Sequence, residues 1–225
     1  MASTISFSSS STSSSGWRWR RSRWGGWRRW WGGSSYANAA AINGQNLFLD
    51  ADVLNVSAAA VDSRWRSRGT QRATGLLNSN IAFTGNRANI SAFAQGANPY
   101  ALAMDYSRLY MLGGGDKVVT LNAHSRLTGR YDPSWAMRNS SLYTGYGNDI
   151  ISITTSAKTV GRGNGNVETT GLERSVISTG YGNDDVCLDN QAWTSGWNST
   201  ARATGMRDSV IDLGSGSNVI TANVK

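Results

Sequence analysis

Few residues in this chain could do chemistry. The 225 residues include one histidine, His124, and one cysteine, Cys187, which excludes a multi-histidine metal cage and an internal disulfide. No nucleophile, base and orienting group can be named together, so the sequence points away from an enzyme. The carboxylates offer more. Asp149 and Asp184 hold the same position in TGYGNDIISI (from Thr144) and TGYGNDDVCL (from Thr179), and Asp185 follows the second. If the two strings stack, like charges come within a few ångströms of each other, and a hard cation with backbone carbonyls would relieve them. The matching position is Lys117 before them and Asn218 after them. The plainer alternative is that these side chains cap turn amides and face water.

A second group of residues carries charge and aromatic surface. Between Trp17 and Trp31 stand Arg18, Arg20, Arg21, Arg23, Arg28 and Arg29 with Trp17, Trp19, Trp24, Trp27, Trp30 and Trp31, and the first 35 residues hold no acid. That stretch carries six of the formal eight positive charges, so the remaining 190 residues are nearly neutral. Arginine and tryptophan combine charge-assisted hydrogen bonding, stacking and large apolar area, which favours binding an acidic surface over staying solvated. The candidate partners are an acidic protein complex, another copy of this chain (self-assembly), an anionic membrane or nucleic acid. A neutral body behind the segment offers no extended phosphate track, which disfavours nucleic acid and puts protein partners first. The expected organisation is a Ser-rich and Arg/Trp-rich docking segment over 1–35 and a repeat domain over 36–225.

The elements behind these residues follow from an internal repeat. GLLNSNI (Gly75 to Ile81), AMDYSRL (Ala103 to Leu109), AMRNSSL (Ala136 to Leu142), GLERSVI (Gly171 to Ile177) and GMRDSVI (Gly205 to Ile211) share one pattern. Their serines are Ser79, Ser107, Ser140, Ser175 and Ser209, and a degenerate sixth copy, AINGQNL, puts Gln45 in the serine slot. A glycine turn and a short alternating strand follow each serine, as in Ile151, Ser152, Ile153. Alternation puts every second side chain on one face. With 26 glycines and two prolines, the chain is poor in core residues. Stacked coils that share one apolar stripe suit that composition. The expectation is an all-β parallel β-solenoid of about six coils with a wide, right-handed coil favoured, preceded by an irregular N-terminal segment. Aligned serines would hydrogen-bond along the stack.

TGYGNDIISI and TGYGNDDVCL resemble the haemolysin-type (RTX-like) repeats, and the ATG(L/M)xxS(V/I)I plus GxGND combination is similar to long-period β-solenoid repeats of bacterial, notably cyanobacterial, surface proteins. The resemblance covers roughly Ala40 to Lys225. It implies a parallel β-solenoid, an extracellular or cell-surface role that is structural or adhesive, and no catalytic activity, while calcium as the cation at Asp149, Asp184 and Asp185 rests on the stacking of those acids. RTX rolls repeat the turn every nine residues, whereas here it comes once per 28 to 35.

The expected function is therefore that of a non-enzymatic structural or interaction protein, a short solenoid rod anchored in a larger assembly or fibre by its basic segment, as a linker bound to an acidic complex would be. The alternatives are a secreted calcium-binding adhesin-like module and a protein that binds anionic membranes. Met1 to Ser15 has no apolar core of a secretory signal peptide, and an intracellular assembly stays open.

Overall fold

The computed structural model describes residues 3–13, 36–62, 69–128, 131–159, 165–195 and 199–225, and the backbone alone at 18–21 and 27–30. The described residues form strands and turns, and three parallel sheets make a β-solenoid. The long sheet holds β1 (Thr4–Ser13), β6 (Val53–Asp62), β9 (Arg87–Gly96), β12 (Val118–Leu127), β15 (Ile150–Thr159), β18 (Asp185–Trp193) and β21 (Val219–Val224). The middle sheet holds β4 (Ala37–Asn43), β7 (Thr70–Leu77), β10 (Asn98–Asp105), β13 (Tyr131–Arg138), β16 (Asn166–Glu173) and β19 (Ala201–Arg207). The short sheet holds β5 (Asn46–Leu49), β8 (Asn80–Phe83), β11 (Arg108–Met111), β14 (Ser141–Tyr143), β17 (Val176–Ser178) and β20 (Val210–Asp212). Each coil runs long, middle, short, and then steps to the next long strand.

The coil is thus one wide turn with three strands. The repeated heptads straddle the corner between middle and short strands, so each middle strand ends inside its heptad. Within the stretch set apart as 1–35, Thr4–Ser13 is the first strand of the long sheet, paired residue for residue with Val53–Asp62. Residues 14–36 are the connection from β1 to β4. Within it, β2 (Arg18–Arg21) and β3 (Trp27–Trp30) pair as an antiparallel hairpin.

Alternation decides what is buried. Along β15, Ile151 and Ile153 point inward and are fully buried, while Ser152 and Thr154 point outward. The interior has two halves. Towards the short sheet it is filled by Leu, Ile, Val, Met and Phe, including Leu54, Ile90, Leu121, Ile151 and Leu188. Towards the far end of the long strands it narrows to alanines such as Ala58, Ala60, Ala92 and Ala123. Each fully buried Leu or Ile contributes about 1.5–3 kcal/mol, so the first half carries most of the hydrophobic stabilisation.

Two hydrogen-bond ladders set the register. At the middle-to-short corner, each serine Oγ accepts the amide of the serine one coil earlier: Ser107 from Ser79 at 3.1 Å, Ser140 from Ser107 at 3.1 Å, Ser175 from Ser140 at 3.3 Å and Ser209 from Ser175 at 3.0 Å. The same hydroxyls donate to the carbonyl two residues back, as Ser140 does to Arg138 at 2.7 Å. Gln45 copies that second bond with its side-chain Nε2, which donates to Asn43. The residue before each serine turns the corner in the left-handed region, with φ of 47–50° at Asn78, Tyr106, Asn139, Arg174 and Asp208. Only the sixth copy places a glycine there, Gly44 at 65°. The second ladder belongs to the turns.

Candidate functional site

Two edges of the solenoid collect the residues that could do something. One is the turn edge, where short strands hand over to long strands. In its last four connections the loops are Leu112–Lys117, Thr144–Asp149, Thr179–Asp184 and Leu213–Asn218, each six residues long. Their last two positions bond in opposite directions along the axis. Asp149 Oδ1 accepts the Lys117 amide at 2.8 Å, Asp184 Oδ1 the Asp149 amide at 2.9 Å, and Asn218 Oδ1 the Asp184 amide at 2.9 Å, all pointing back one coil. Asp116, Asn148 and Asn183 instead accept the amides of Asn148, Asn183 and Ser217, one coil forward. Adjacent residues thereby pin each turn to both neighbours. Carboxylate and amide oxygens do this job equally well, which accounts for Asp, Asn and Ser alternating in these columns.

The structure brings Asp149 and Asp184 together as stacked, buried side chains, whereas Asp185 is exposed at the start of β18 and faces away from them. They cap amides, as the plainer alternative had it, but they are buried and do not face water. Their second oxygens, Oδ2, are buried without a hydrogen-bond partner, and so are the hydroxyls of Thr144 and Thr179. Burial raises the Asp149 carboxyl above its ordinary value; the Lys117 amide opposes the shift, and the neighbouring Asp184 adds to it. Calcium takes six to eight oxygens. The buried side chains supply two carboxylate oxygens and two hydroxyls towards such a set, and among the described residues no group of three His, Cys, Asp or Glu side chains comes together.

Lys117 occupies the same column and behaves differently. Its side chain is buried, and its ammonium donates to the Gly113 carbonyl at 3.1 Å, to the Gly115 carbonyl, and to the Tyr146 carbonyl of the next coil at 3.4 Å. Higher in the stack the turns are joined by backbone bonds, Gly147 to Tyr181 at 3.0 Å and Tyr181 to Gly145 at 3.2 Å. Among the described residues, no such backbone pair joins the turn at 113–115 to Tyr146. The ammonium takes its place as an internal cation held by carbonyls of two coils.

The other edge lies at the far end of the long strands, where six connections lead to the middle strands: 14–36, 63–69, 97, 128–130, 160–165 and 194–200. The Arg/Trp segment is the first of these. Of its twelve singled-out residues, Trp17, Arg23, Trp24 and Trp31 lie outside the described residues. The other eight form the hairpin, with Arg18 opposite Trp30, Trp19 opposite Arg29, Arg20 opposite Arg28 and Arg21 opposite Trp27. The sequence reading missed that the next connection repeats the composition as Ser63-Arg64-Trp65-Arg66-Ser67-Arg68. It also missed exposed Arg126 and Lys158 with Trp193 at the ends of β12, β15 and β18, where the Lys158 ammonium sits 4.5 Å from the Trp193 ring centre.

His124 lies on the outer face of the long sheet beside a shallow trough of about 350 Å³ lined by Ser8, Ser57, Ser91 and Phe93. Its Nδ1 is 2.6 Å from Ser156 Oγ, and burial lowers its pKa. Among the described residues no carboxylate bonds to its ring, and the strand amides around it are taken by the sheet ladder. The pair therefore has neither an orienting group nor oxyanion donors. No protein-family model matches the chain, and no curated protein or solved structure is similar to it.

Proposed function

We propose that this chain is a non-enzymatic structural protein, a short β-solenoid rod that docks onto an acidic protein surface through its Arg/Trp segment. The observation that carries this reading is the position of the segment. It is tied at both ends into the first coil, by β1 on one side and β4 on the other. A connection anchored in this way loses less conformational freedom on binding than a free tail, which strengthens docking. The next connection from the same edge repeats the composition in its sequence, with Arg64, Arg66 and Arg68. Six indoles in fifteen residues are costly to leave in water.

The test is to replace residues 14–35 by a short Gly/Ser linker between β1 and β4, which keeps every solenoid strand. Binding to polyglutamate-coated beads should fall at least tenfold while the β-type circular dichroism stays unchanged. Unchanged binding overturns the reading. Changing the six arginines of the segment to lysine keeps the charge but removes planar, bidentate contacts, and should weaken binding severalfold. Retention on anionic vesicles in place of the beads would favour the membrane alternative. Melting with calcium and with chelator separates this reading from a calcium-responsive adhesin-like module: equal midpoints fit a rod whose turns are closed by Lys117 and by side-chain caps.

A further inference from the structure

The near-neutral charge of the body hides a polarity. At the turn edge, Asp50, Asp52 and Asp116 are exposed in the connections and Asp185 opens β18 beside them. The one lysine of these connections, Lys117, is buried, and one exposed cation, Arg87, opens β9 on the same edge. Tyr146 and Tyr181 are exposed on the same edge and stack with ring centres 5.4 Å apart. At the loop edge, Arg126 and Lys158 are exposed and Trp193 is half-exposed. Of the six connections leaving that edge, four contain arginine and none contains an acid anywhere in its sequence. The two edges stand at opposite ends of a ten-residue strand, about 30 Å apart.

We propose that the rods associate side by side, with the loop edge of one copy against the turn edge of the next. Such a contact uses two different surfaces and therefore repeats into a ribbon instead of closing as a dimer. This inference rests on the reading of the Arg/Trp edge as a docking surface and names its partner as a second copy of this chain. Charge complementarity is the first argument. The axial period is the second: coils on both edges step by about 4.8 Å, so Arg126 and Lys158 on successive coils and the acids Asp50, Asp116 and Asp185 on alternate coils fall on one common spacing. The exposed tyrosine stack offers ring faces to guanidinium groups and indoles.

Sedimentation velocity of the full chain tests the proposal. At low ionic strength the mass should grow with concentration, and at about 0.5 M salt, where the screening length falls to a few ångströms, it should return to the monomer. A turn-edge variant, Asp50→Asn with Asp116→Asn and Asp185→Asn, keeps oxygens able to cap amides, as Asn148 and Asn183 do. It should associate at least tenfold more weakly. A loop-edge variant, Arg126→Glu with Lys158→Glu, should do the same. Each variant keeps one working edge, so an equimolar mixture should form discrete dimers that neither forms alone. A wild-type chain that stays monomeric at low salt, a turn-edge variant that associates normally, or a mixture without dimers would overturn the proposal. Polyglutamate binding keeps the two readings apart. If the full chain binds the beads but not itself, the side-by-side contact is wrong and the docking reading stands. If excising 14–35 leaves bead binding unchanged, the docking reading is the one that fails.

Discussion

From the third coil step onward, each turn-edge connection has six residues, whereas the loop-edge connections run from a single residue, Ala97, to the twenty-three residues of 14–36. The turn edge is fixed because Asp149, Asp184, Asn148 and Asn183 each bond the coil above or below, so one residue more or less would break bonds in both directions. Among the described residues nothing comparable crosses the loop edge as a continuous ladder. Isolated bonds such as Gly165 to Ser199 at 3.0 Å join one loop to its neighbour there. The turn side thus holds register through fixed-length connections, and the other side accepts connections of widely different length. The interior follows the same division, with the bulky apolar cluster nearer the turns and the alanine stripe nearer the loops.

The largest effect should come from attacking the side that holds the register. Ile151→Asp or Ile177→Asp puts a charge into the bulky half of the core, where both residues are fully buried. The cost of an unpaired buried charge exceeds about 4 kcal/mol, and the body should unfold. Soluble protein with unchanged β-type circular dichroism would place these residues outside the core.

Next comes a group towards the loop side. Asp132 is fully buried, neither carboxylate oxygen has a hydrogen-bond partner in the structure, and burial pushes its pKa up to about 8. The folded pKa lies above the unfolded value near 3.8. The folded state therefore holds a proton that the unfolded state releases, and stability is full below about pH 4 and declines as pH rises through 8. Asp132→Asn should flatten that decline and raise the denaturation midpoint at pH 9 relative to wild type. Parallel pH profiles for the two proteins would show that Asp132 is not the titrating group.

Ser140→Ala probes a single rung at the corner. It removes the acceptor of the Ser107 amide and the donor to the Arg138 carbonyl, and leaves a buried amide without its partner. The expected loss is about 1–3 kcal/mol, read as a shift of the urea midpoint at unchanged slope.

How much of this could be read from the sequence follows from the same division. The serine and GxGND columns were legible because a residue that bonds its own copy one coil away must recur at fixed spacing, here 28, 33, 35 and 34 residues. The middle strand was not, because its first half varies with the loop before it and only the last residues, as in Ala73 to Leu77, repeat. β1 was masked by composition. Its inward positions are Ile5 and Phe7, then Ser9 and Ser11, where later coils have alanine, and its 49-residue distance from β6 exceeds every other step. Serine substitutes for alanine in the narrow half of the interior, so a strand there reads as a low-complexity leader. Asp132 gave no signal, since only the packed coil reveals that nothing bonds it.

The smallest effect is expected where the comparison is sharpest. One residue inserted between Tyr146 and Gly147 displaces both Asn148 and Asp149. It therefore threatens the four ladder bonds they make: Asp149 to the Lys117 amide, Asn148 to the Asn183 amide, and their own amides to Asp116 and Asp184. At about 1 kcal/mol each, the loss is several kcal/mol. Seven Gly/Ser residues inserted between Gly196 and Trp197 double the connection 194–200. Closure entropy grows only logarithmically with loop length, so the cost is about 0.6 kcal/mol, a melting shift of about 1–2 °C for a chain of this size. A loop insertion as damaging as the turn insertion would mean that the loop edge also sets register, and the division of labour between the two edges would have to be abandoned. A mild loop effect beside a severe turn effect would instead explain how one coil accommodates twenty-two extra residues of arginine, tryptophan, serine and glycine without losing its place in the stack.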